Sequence, residues 1–228
     1  MAIVAHPDDE AFGPGATLAH YAGRGVRVYL ACATRGEAGR RRGSPPFCTP
    51  AELGAVREGE LRRSARVLGV SAVFLLGLPD GEVAKADPDA SARRLALVMT
   101  RTRPEVVITF GPEGSLSPHP DHVAVCHLTT RAFLSLPEAG RPARIFHYLS
   151  PWRYSPPATA GGTLVELDVS AYRARRLEAL KCHLTQVQQV AWLFGPAAEV
   201  AASFPGHDRF RLAYPDRAGE LDDLFDGI

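Results

Sequence analysis

The sequence predicts an α/β fold of the Rossmann-like, doubly wound type, with a mostly parallel sheet in a single domain that spans residues 1–228. Short apolar runs of strand length alternate with longer stretches of helical periodicity, as in a parallel sheet covered by helices. Two of these runs are followed by clusters of histidine and aspartate, at the edge where open α/β sheets keep their sites. The chain has 228 residues, 46% of them hydrophobic, which is enough for one large core.

The first predicted strand is the run Ala2-Ile3-Val4-Ala5, which stops at His6-Pro7-Asp8-Asp9-Glu10. Four apolar residues that end near a proline are typical of a buried strand in a parallel sheet. The histidine and the carboxylates should therefore lie at the carboxyl end of that strand.

The rest of the chain continues the same alternation. The stretch Gly13-Pro14-Gly15 leads into a helix that closes at Gly23 or Gly25, since glycine commonly ends a helix. Its glycines either pack closely beside the first cluster or cradle a phosphate at the helix N-terminus. Further strands are predicted at 26–33, 73–76, 106–110, 145–149 and 165–169, and helices at 51–68, 90–101, from 120 onward and 170–181. The tail from 204 suits a last strand around Phe210 and a short terminal helix.

The first cluster has the composition of a metal site. His6 and Asp9 offer a nitrogen and a hard oxygen three residues apart, a pair that suits zinc, and Pro7 stiffens the backbone between them. Asp8, if it is not a ligand, is free to act as a base on a metal-bound water. The alternative is a strand-ending turn in which Asp8 or Asp9 caps the next helix.

A second cluster favours the metal site over the turn. The sequence His119-Pro120-Asp121-His122 follows the apolar run 106–110 after a loop rich in glycine, proline and serine. A catalytic zinc usually takes three protein ligands, so the best candidate for the third lies in this cluster. Two such clusters, each behind a strand, are hard to explain as unrelated turns.

Together the two clusters resemble, in order and in spacing, those of the zinc-dependent N-acetylglucosaminyl deacetylases, the PIG-L or LmbE-like family. The resemblance implies a zinc site formed by His6, Asp9 and His122, with Asp8 as the base. It also implies removal of an N-acetyl group from an N-acetylglucosamine conjugate, which gives acetate and a free amine, as in the biosynthesis of glucosamine-containing thiols. Fe²⁺ is compatible with two histidines and one aspartate as well.

His119 is left over when His122 is assigned as the ligand. Oriented by Asp121, His119 could stabilise the tetrahedral oxyanion or hand a proton to the leaving amine. The alternative is that His119 only supports the metal ligands.

Other short motifs resemble segments of the same family. The resemblance implies that Arg57 reaches a hydroxyl of the substrate, although an ion pair with Glu60 would explain it equally well. Asp80, in the sequence Leu-Pro-Asp-Gly, either contacts substrate hydroxyls or forms a turn. His183 begins a segment similar to the family's His-x-Ser-Gln, with Thr185 in place of the serine, and it either lines the site or lies away from it.

Two more segments bear on the family pattern. Residues 34–39 resemble the family's Thr-x-Gly-Glu loop and follow the second strand, which puts polar residues at the same edge of the sheet. Many relatives carry a glutamate just before the equivalent of Phe210. This chain has His207 and Asp208 there, which puts any role of that glutamate in doubt.

Composition narrows the class of protein. The formal net charge of +1 argues against binding of nucleic acid by general electrostatic attraction. The run Arg40-Arg41-Arg42 lies in a predicted loop and is either a solvated face or a contact for an anionic group of the substrate. The four cysteines form no CxxC motif, so neither a disulfide framework nor a cysteine zinc site is indicated.

A loop at 150–162 with Trp152 and Tyr154 could wall the pocket, or pack on the core or on a neighbouring subunit.

No signal peptide or membrane span is visible, so a cytoplasmic protein without membrane binding is expected. Family members that act on lipid-linked sugars carry a membrane segment, so the resemblance favours a small soluble sugar conjugate. The sequence leaves a homo-oligomer open. Two other functions also stay open: an amidase or deacetylase acting on another N-acyl or thiol-conjugate substrate, and a non-catalytic Rossmann-like sugar or nucleotide binder, which only the stretch Gly13-Pro14-Gly15 supports.

Overall fold

A mostly parallel sheet runs through the computed structural model, which describes residues 1–150, 162–215 and 219–228. Its strands are β1 (Ala2–Val4), β2 (Tyr29–Cys32), β3 (Ala72–Leu75), β4 (Val106–Phe110), β5 (Arg144–Leu149), β6 (Leu164–Asp168) and β7 (His207–Tyr214). These seven strands of the described residues form one sheet in the order β3-β2-β1-β4-β5-β7-β6. Neighbours from β3 to β5 are parallel, whereas β7 is antiparallel to both β5 and β6.

Helices connect and cover the strands. They are α1 (Asp9–Phe12), α2 (Gly15–Gly23), α3 (Leu53–Val67), α4 (Pro88–Thr102), α5 (Pro120–Ser135), α6 (Arg173–Lys181), α7 (Leu184–Val187) and α8 (Ala197–Ser203), with short 3₁₀ turns at Val83–Lys85, Glu138–Gly140, Ser170–Tyr172 and Ala191–Phe194. Helices α2 and α3 pack with α6, whereas α4 packs with α5. Two groups of helices around a parallel sheet are the arrangement expected of a doubly wound fold.

The position of β1 between β2 and β4 decides where the site forms. The chain leaves β1 toward β2 and β3, then returns and continues from β4 to β5. The strand order therefore reverses between β1 and β4, and a crevice opens at the carboxyl ends of these two strands. The segments that follow Val4 and Phe110 border this crevice, and they carry the two histidine clusters.

Burial explains why β1 and β4 are apolar along their whole length. All three residues of β1 and all five of β4 are buried. A strand covered on both faces needs continuous apolar residues rather than an alternating pattern. The outer strand β6 does alternate, with Val165 and Leu167 buried and their neighbours exposed.

A buried ion pair joins the antiparallel part of the sheet to the helices beside the first cluster. Arg176 on α6 lies 3.3 Å from Asp208 on β7, and both side chains are fully buried. Arg176 also donates hydrogen bonds to the carbonyl oxygens of Ala11 and Phe12. Asp208 accepts a 2.7 Å hydrogen bond from the hydroxyl of Thr17. Asp208 therefore acts as a buried counterion that holds α1 and α2 in place.

The predicted fold class is confirmed, and each predicted strand is present within a few residues of its expected position. The expected terminal helix is wrong, because the described residues from 219 to 228 form bends and turns. Helices α1, α7 and α8 were not predicted. These helices have four, four and seven residues, which is too short to display a helical period.

Three smaller points concern Gly13, the loop at 150–162 and membrane-spanning helices. A Cβ at Gly13 would lie 2.7 Å from the carbonyl oxygen of Asp9, so close packing beside the first cluster explains this glycine. The loop with Trp152 and Tyr154 lies outside the described residues except for its ends. Within the described ranges, none of the helices is long and apolar enough to cross a lipid bilayer.

Candidate metal centre and catalytic cleft

The first cluster turns back on itself directly after β1. Asp9 is the first residue of α1, and its Oδ2 accepts a 2.8 Å hydrogen bond from the backbone N–H of His6. The same oxygen lies 3.4 Å from Nδ1 of the His6 ring. A backbone contact thus fixes the Asp9 carboxylate against the imidazole three residues earlier in the chain.

His122 approaches the same carboxylate from the second cluster. It lies in the first turn of α5, and its Nε2 is 3.3 Å from Oδ1 of Asp9. The other ring nitrogen, Nδ1, lies 3.1 Å from the carbonyl oxygen of Gly114. The ring stacks on Phe110, the last residue of β4, with centroids 4.2 Å apart. Strand end and loop together hold His122 with Nε2 directed at Asp9.

Glycine at position 114 is required for this loop geometry. Gly114 has a φ of +90°, which favours glycine, and a Cβ there would overlap the carbonyl oxygen of Ser117. Any other residue at position 114 would therefore move the loop, and with it the carbonyl oxygen that accepts the hydrogen bond from His122.

The ring nitrogen of His6 that points away from Asp9 is held by two carboxylates. Its Nε2 lies 3.1 Å from Oδ2 of Asp121 and 3.2 Å from Oδ1 of Asp80. A proton on Nε2 is held between these two carboxylates, so the nitrogen that would bind a metal ion, after losing its proton, is Nδ1 beside Asp9. Metal-binding histidines are usually held in this way, with the second nitrogen bound to a carboxylate or a carbonyl.

The charges around these rings favour a cation. Burial alone would lower the pKa of His6, but hydrogen bonds to Asp121, Asp80 and Asp9 raise it to about 12. Burial also acts to lower the pKa of His122, and Asp9 outweighs it and raises that pKa. Burial would raise the pKa of Asp9, but His122 and His6 hold it well below its usual range. Carboxylates in excess around two imidazoles suit a bound divalent cation.

Two further sets of side chains also place possible ligand atoms close together. In each set these atoms lie within 4.8 Å of one another: His6, His119 and His122 in one, and His6, Asp80 and Asp121 in the other. His6 belongs to both, so it is the common point of the histidine and aspartate cluster.

Asp8 lies beside this cluster in a strained backbone conformation. Its φ of 125° is in the region that favours glycine. Its carboxylate Oδ2 is 3.4 Å from Nη2 of Arg57. Burial, the largest effect, raises the pKa of Asp8 to about 6 in spite of the opposing charge of Arg57.

Arg57 contacts the backbone near Asp8 and not Glu60. Its guanidinium donates to the carbonyl oxygens of Pro7 at 2.6 Å and Gly36 at 2.8 Å. The ion pair with Glu60 that the spacing suggested is wrong, because Glu60 instead accepts two hydrogen bonds from Thr185. Arg57 lines the cleft, but its described polar contacts are with the segment that carries Asp8 and with the loop at Gly36.

The loop at 34–39 brings Asp80 to the site. Oδ2 of Asp80 accepts from the N–H of Ala38 at 2.8 Å, and Glu37 accepts from the N–H of Asp80 at 3.1 Å. Gly36 in this loop has a φ of +69°, and a Cβ there would overlap the Arg57 guanidinium. Asp80 thus forms the predicted turn and also contacts His6.

Asp121 contacts His119 through its backbone and not through its carboxylate. The carboxylate of Asp121 accepts from the N–H groups of Gly81 at 2.7 Å and Val83 at 3.1 Å and also contacts His6. His119 caps α5, and its Nδ1 accepts a 3.1 Å hydrogen bond from the backbone N–H of Asp121. The backbone of Asp121 therefore orients His119, while its side chain orients His6.

Burial lowers the pKa of His119, with His6 as the next largest cause. Because Nδ1 accepts a hydrogen bond, the neutral ring carries its proton on Nε2. The His119 ring lies edge-on to His6, with centroids 4.8 Å apart.

Glu10, which was not among the predicted site residues, supports Asp8 from behind. Its Oε2 accepts a 3.0 Å hydrogen bond from the N–H of Asp8. Its Oε1 accepts from the hydroxyl of Ser64 at 2.5 Å and lies 2.6 Å from Nε2 of His183. Glu10 and His183 are both fully buried, so His183 supports Glu10 and does not line the cleft. Only the position of Glu10 directly after the two aspartates could have pointed to it.

These side chains border one cleft of about 750 Å³ at the switch point of the sheet. This volume is within the range of about 300 to 1,000 Å³ that is common for small-molecule sites. The residues that line it include His6, Asp8, Asp9, Phe12, Arg41, Arg57, Asp80, Leu116, His119, His122 and Gln186. Of the eight residues predicted for the site, seven line this cleft, and Asp121 lies fully buried behind His6.

The chain is similar to a known protein family and to individual deacetylases. The family described as PIG-L, GlcNAc-PI de-N-acetylase, matches residues 1–133, which include both clusters. A probable N-acetyl-alpha-D-glucosaminyl L-malate deacetylase 2 from Bacillus anthracis is 32% identical over 186 residues, which cover 82% of this chain and 80% of that protein. A 1D-myo-inositol 2-acetamido-2-deoxy-alpha-D-glucopyranoside deacetylase from Salinispora arenicola is 28% identical over 286 aligned positions, which cover 100% of this chain and 91% of that protein.

The fold has a close counterpart among solved structures. The crystal structure of the conserved protein TT1542 from Thermus thermophilus matches with a TM-score of 0.69 and 25% identity. The match covers 97% of this chain and 98% of that one, so the similarity extends well beyond the segment that carries the two clusters.

Proposed function

Because this chain belongs to the PIG-L family, described as GlcNAc-PI de-N-acetylase, we propose that it is a metal-dependent hydrolase that removes the N-acetyl group from an N-acetylglucosamine conjugate. The match of this family to residues 1–133 confirms the family that the two clusters resemble. The observation that carries the proposal is the convergence of His6, Asp9 and His122 in the crevice between β1 and β4. The products are acetate and a conjugate with a free amine.

The donor set fits a divalent metal ion. Nδ1 of His6 and Nε2 of His122 lie 3.4 Å and 3.3 Å from different oxygens of Asp9, and the opposite ring nitrogens are held by carboxylates or a carbonyl. We assign these three residues as the ligands. When bound, zinc polarises an amide carbonyl and lowers the pKa of water to about 7. Fe²⁺ suits the same donor set.

Asp8 is assigned as the general base that takes a proton from the attacking water. Its raised pKa, about 6, lies near the range in which a base works best at neutral pH. Glu10 accepts a hydrogen bond from the backbone N–H of Asp8, and Arg57 contacts the Asp8 carboxylate. The Asp8 side chain is therefore fixed in orientation before the substrate binds. Fixed orientation of this kind lowers the entropic cost of the reaction.

His119 is assigned as the donor that stabilises the charge on the carbonyl oxygen. Its Nδ1 accepts from the backbone, so its Nε2–H is the donor. A donor placed in advance in a partly buried cleft stabilises developing charge more than water does. The proton that Asp8 takes from the water can pass to the leaving amine as the carbon–nitrogen bond breaks, which returns Asp8 to its starting state.

Arg57 and Asp80 are assigned to the sugar. Each lines the cleft, and each is also held by protein partners, Arg57 by Pro7 and Gly36 and Asp80 by Ala38 and His6. A side chain held in this way presents its remaining hydrogen-bonding capacity in a fixed direction. Hydroxyl groups of a sugar are suitable partners for a guanidinium and a carboxylate.

Acetate release tests the proposed function. The zinc-loaded protein is incubated with a panel of N-acetylglucosamine conjugates, and acetate and free amine are measured for the wild type and for Asp8→Asn. We expect both products in equal amounts from the wild type, and a large loss in the variant. If no conjugate releases acetate although one metal ion is bound per chain, the function lies with another amide substrate or with binding alone.

A further inference from the structure

Arg41 lines the same cleft as the candidate catalytic residues, although it belongs to a separate loop. The run Arg40-Arg41-Arg42 follows the loop that contacts Asp80, and of its three residues only Arg41 borders the cleft. Arg42 points elsewhere and donates to the carbonyl oxygen of Cys48 at 3.2 Å. The three arginines are thus not equivalent, and one of them is positioned to meet a ligand.

Hydrogen bonds fix Arg41 against the segment around α7. Its Nη1 donates to the carbonyl oxygen of Gln186 at 3.1 Å, and the Gln186 side chain donates to the carbonyl oxygen of Arg41 at 3.4 Å. Two residues later, the N–H of Gly43 donates to the carbonyl oxygen of Thr185 at 3.2 Å. Gln188 accepts from the N–H of Ser44 at 2.9 Å. The loop is therefore attached to this segment on both sides of Arg42.

The support beneath Arg41 is buried and polar. Thr185 donates to both oxygens of Glu60, at 2.8 Å from its N–H and at 2.5 Å from its hydroxyl. Glu60 is 1% exposed and Thr185 is fully buried. Gln186 in turn donates to the Thr185 hydroxyl at 3.0 Å. Buried hydrogen-bond networks are rigid when all their donors and acceptors are paired, so the segment that holds Arg41 is ordered before a ligand binds.

The charge of Arg41 is not matched by a carboxylate. Arg35 is paired with Glu58 at 3.1 Å and Arg57 contacts Asp8 at 3.4 Å, whereas Arg41 forms no ion pair with any carboxylate of the described residues. Its contact with a carbonyl oxygen satisfies one donor and leaves a formal positive charge at the cleft. A guanidinium with free donors is well suited to bind a carboxylate or a phosphate.

We propose that Arg41 binds an anionic group on the aglycone, the part of the conjugate attached to the sugar, and that it makes the enzyme prefer acidic conjugates over neutral ones. This inference rests on the proposed deacetylase function. It adds a specificity residue that lies outside the histidine and aspartate cluster and acts on substrate selection, not on the chemical step. The anionic group can be a carboxylate or a phosphate, since both offer oxygens that a guanidinium binds.

The test compares three conjugates of N-acetylglucosamine that differ only in the aglycone. One carries a carboxylate aglycone such as malate, one a phosphate-bearing aglycone, and one a neutral methyl group. The ratio of kcat/KM for each acidic conjugate to that for the neutral one is measured for the wild type, for Arg41→Gln and for Arg40→Gln. Arg40 is an exposed neighbour that does not line the cleft, so it is the matched control.

We expect Arg41→Gln to lower this ratio by about threefold to tenfold, the range of an exposed charge-assisted contact, mainly through KM. Arg40→Gln should keep the wild-type ratio. In the wild type the preference for the acidic conjugate should fall at high salt, because the contact is partly exposed. The conjugate with the larger change identifies a carboxylate or a phosphate as the bound group.

Two outcomes would overturn the inference in different ways. Turnover of all three conjugates with equal kcat/KM, or with equal losses in Arg41→Gln, would refute the role of Arg41 and leave the deacetylase function intact. No turnover of any conjugate by the metal-loaded wild type would refute the proposed function and the inference with it.

Discussion

The carboxylate of Asp121 lies 3.1 Å from Nε2 of His6, the ring nitrogen opposite the one that faces Asp9. Asp121 is fully buried and also accepts from the N–H groups of Gly81 and Val83. It therefore cannot turn toward His119 without breaking two backbone hydrogen bonds. The arrangement makes Asp121 a support for a metal ligand.

Replacing Asp121 with asparagine should weaken metal binding. Asn can keep one acceptor but loses the charge that favours a proton on Nε2 of His6, and loss of such a partner typically costs about 10- to 100-fold in metal affinity. Zinc affinity can be measured by competition with a chromophoric chelator. His119→Ala is the comparison, because it should lower kcat and keep the metal. Equal metal affinity in Asp121→Asn and the wild type would argue that Asp121 acts on His119 instead.

Loss of the His122 ring should remove a metal ligand outright. His122→Ala leaves two of the three assigned ligands, so we expect metal content well below one ion per chain after dialysis, as determined by elemental analysis. His127→Ala serves as the control because His127 is exposed and lies on the same helix. A full complement of metal in His122→Ala would exclude it as a ligand and direct attention to His119.

How much of this site the sequence could predict depends on where each partner lies in the chain. The two clusters were recognisable because their residues are adjacent and follow apolar runs, and the run 106–110 coincides with β4. Fold and cluster positions follow from such local patterns. Partners from other elements do not, since spacing defines faces within one element only.

Three contacts illustrate that limit. Asp121 stands beside His119 in sequence, yet its carboxylate meets His6, 115 residues away. The pairing of Arg57 with Glu60 followed from helical spacing, but buried Thr185 offers Glu60 two donors. The contact of Glu10 with His183 joins residues 173 positions apart, and only the packing of α1 against α6 and the chain after it brings them together.

Removing only the carboxylate charge of Asp8 should separate catalysis from metal binding. In Asp8→Asn the side chain keeps its shape but cannot take a proton from water, so we expect kcat to fall about 10²- to 10⁴-fold. Metal content should remain at the wild-type level, since Asp8 is assigned as the base and Asp9 as the ligand. Elemental analysis and steady-state kinetics on the same preparation check both points. Loss of metal in this variant would make Asp8 a ligand.

His147 on β5 should make folding stability depend on pH. Burial, the largest cause, and the nearby charge of Arg211 lower the pKa of His147 to about 4, whereas an unfolded histidine titrates near 6.5. Between pH 6.5 and pH 4, His147 binds a proton in the unfolded chain but not in the folded chain. The contribution of neutral His147 is therefore fully present above pH 6.5 and is lost as the pH falls toward 4.

Urea unfolding at pH 7 and pH 5 measures this effect, with His147→Gln as the partner variant. The wild type should lose about 2 kcal/mol more than the variant between these two pH values, because glutamine does not titrate. The aspartates and glutamates titrate in both proteins, so their contribution cancels in the difference. Equal losses in the two proteins would mean that the folded chain accommodates a protonated His147, for example by a shift of its neighbour Cys126, whose Sγ lies 3.7 Å from the ring.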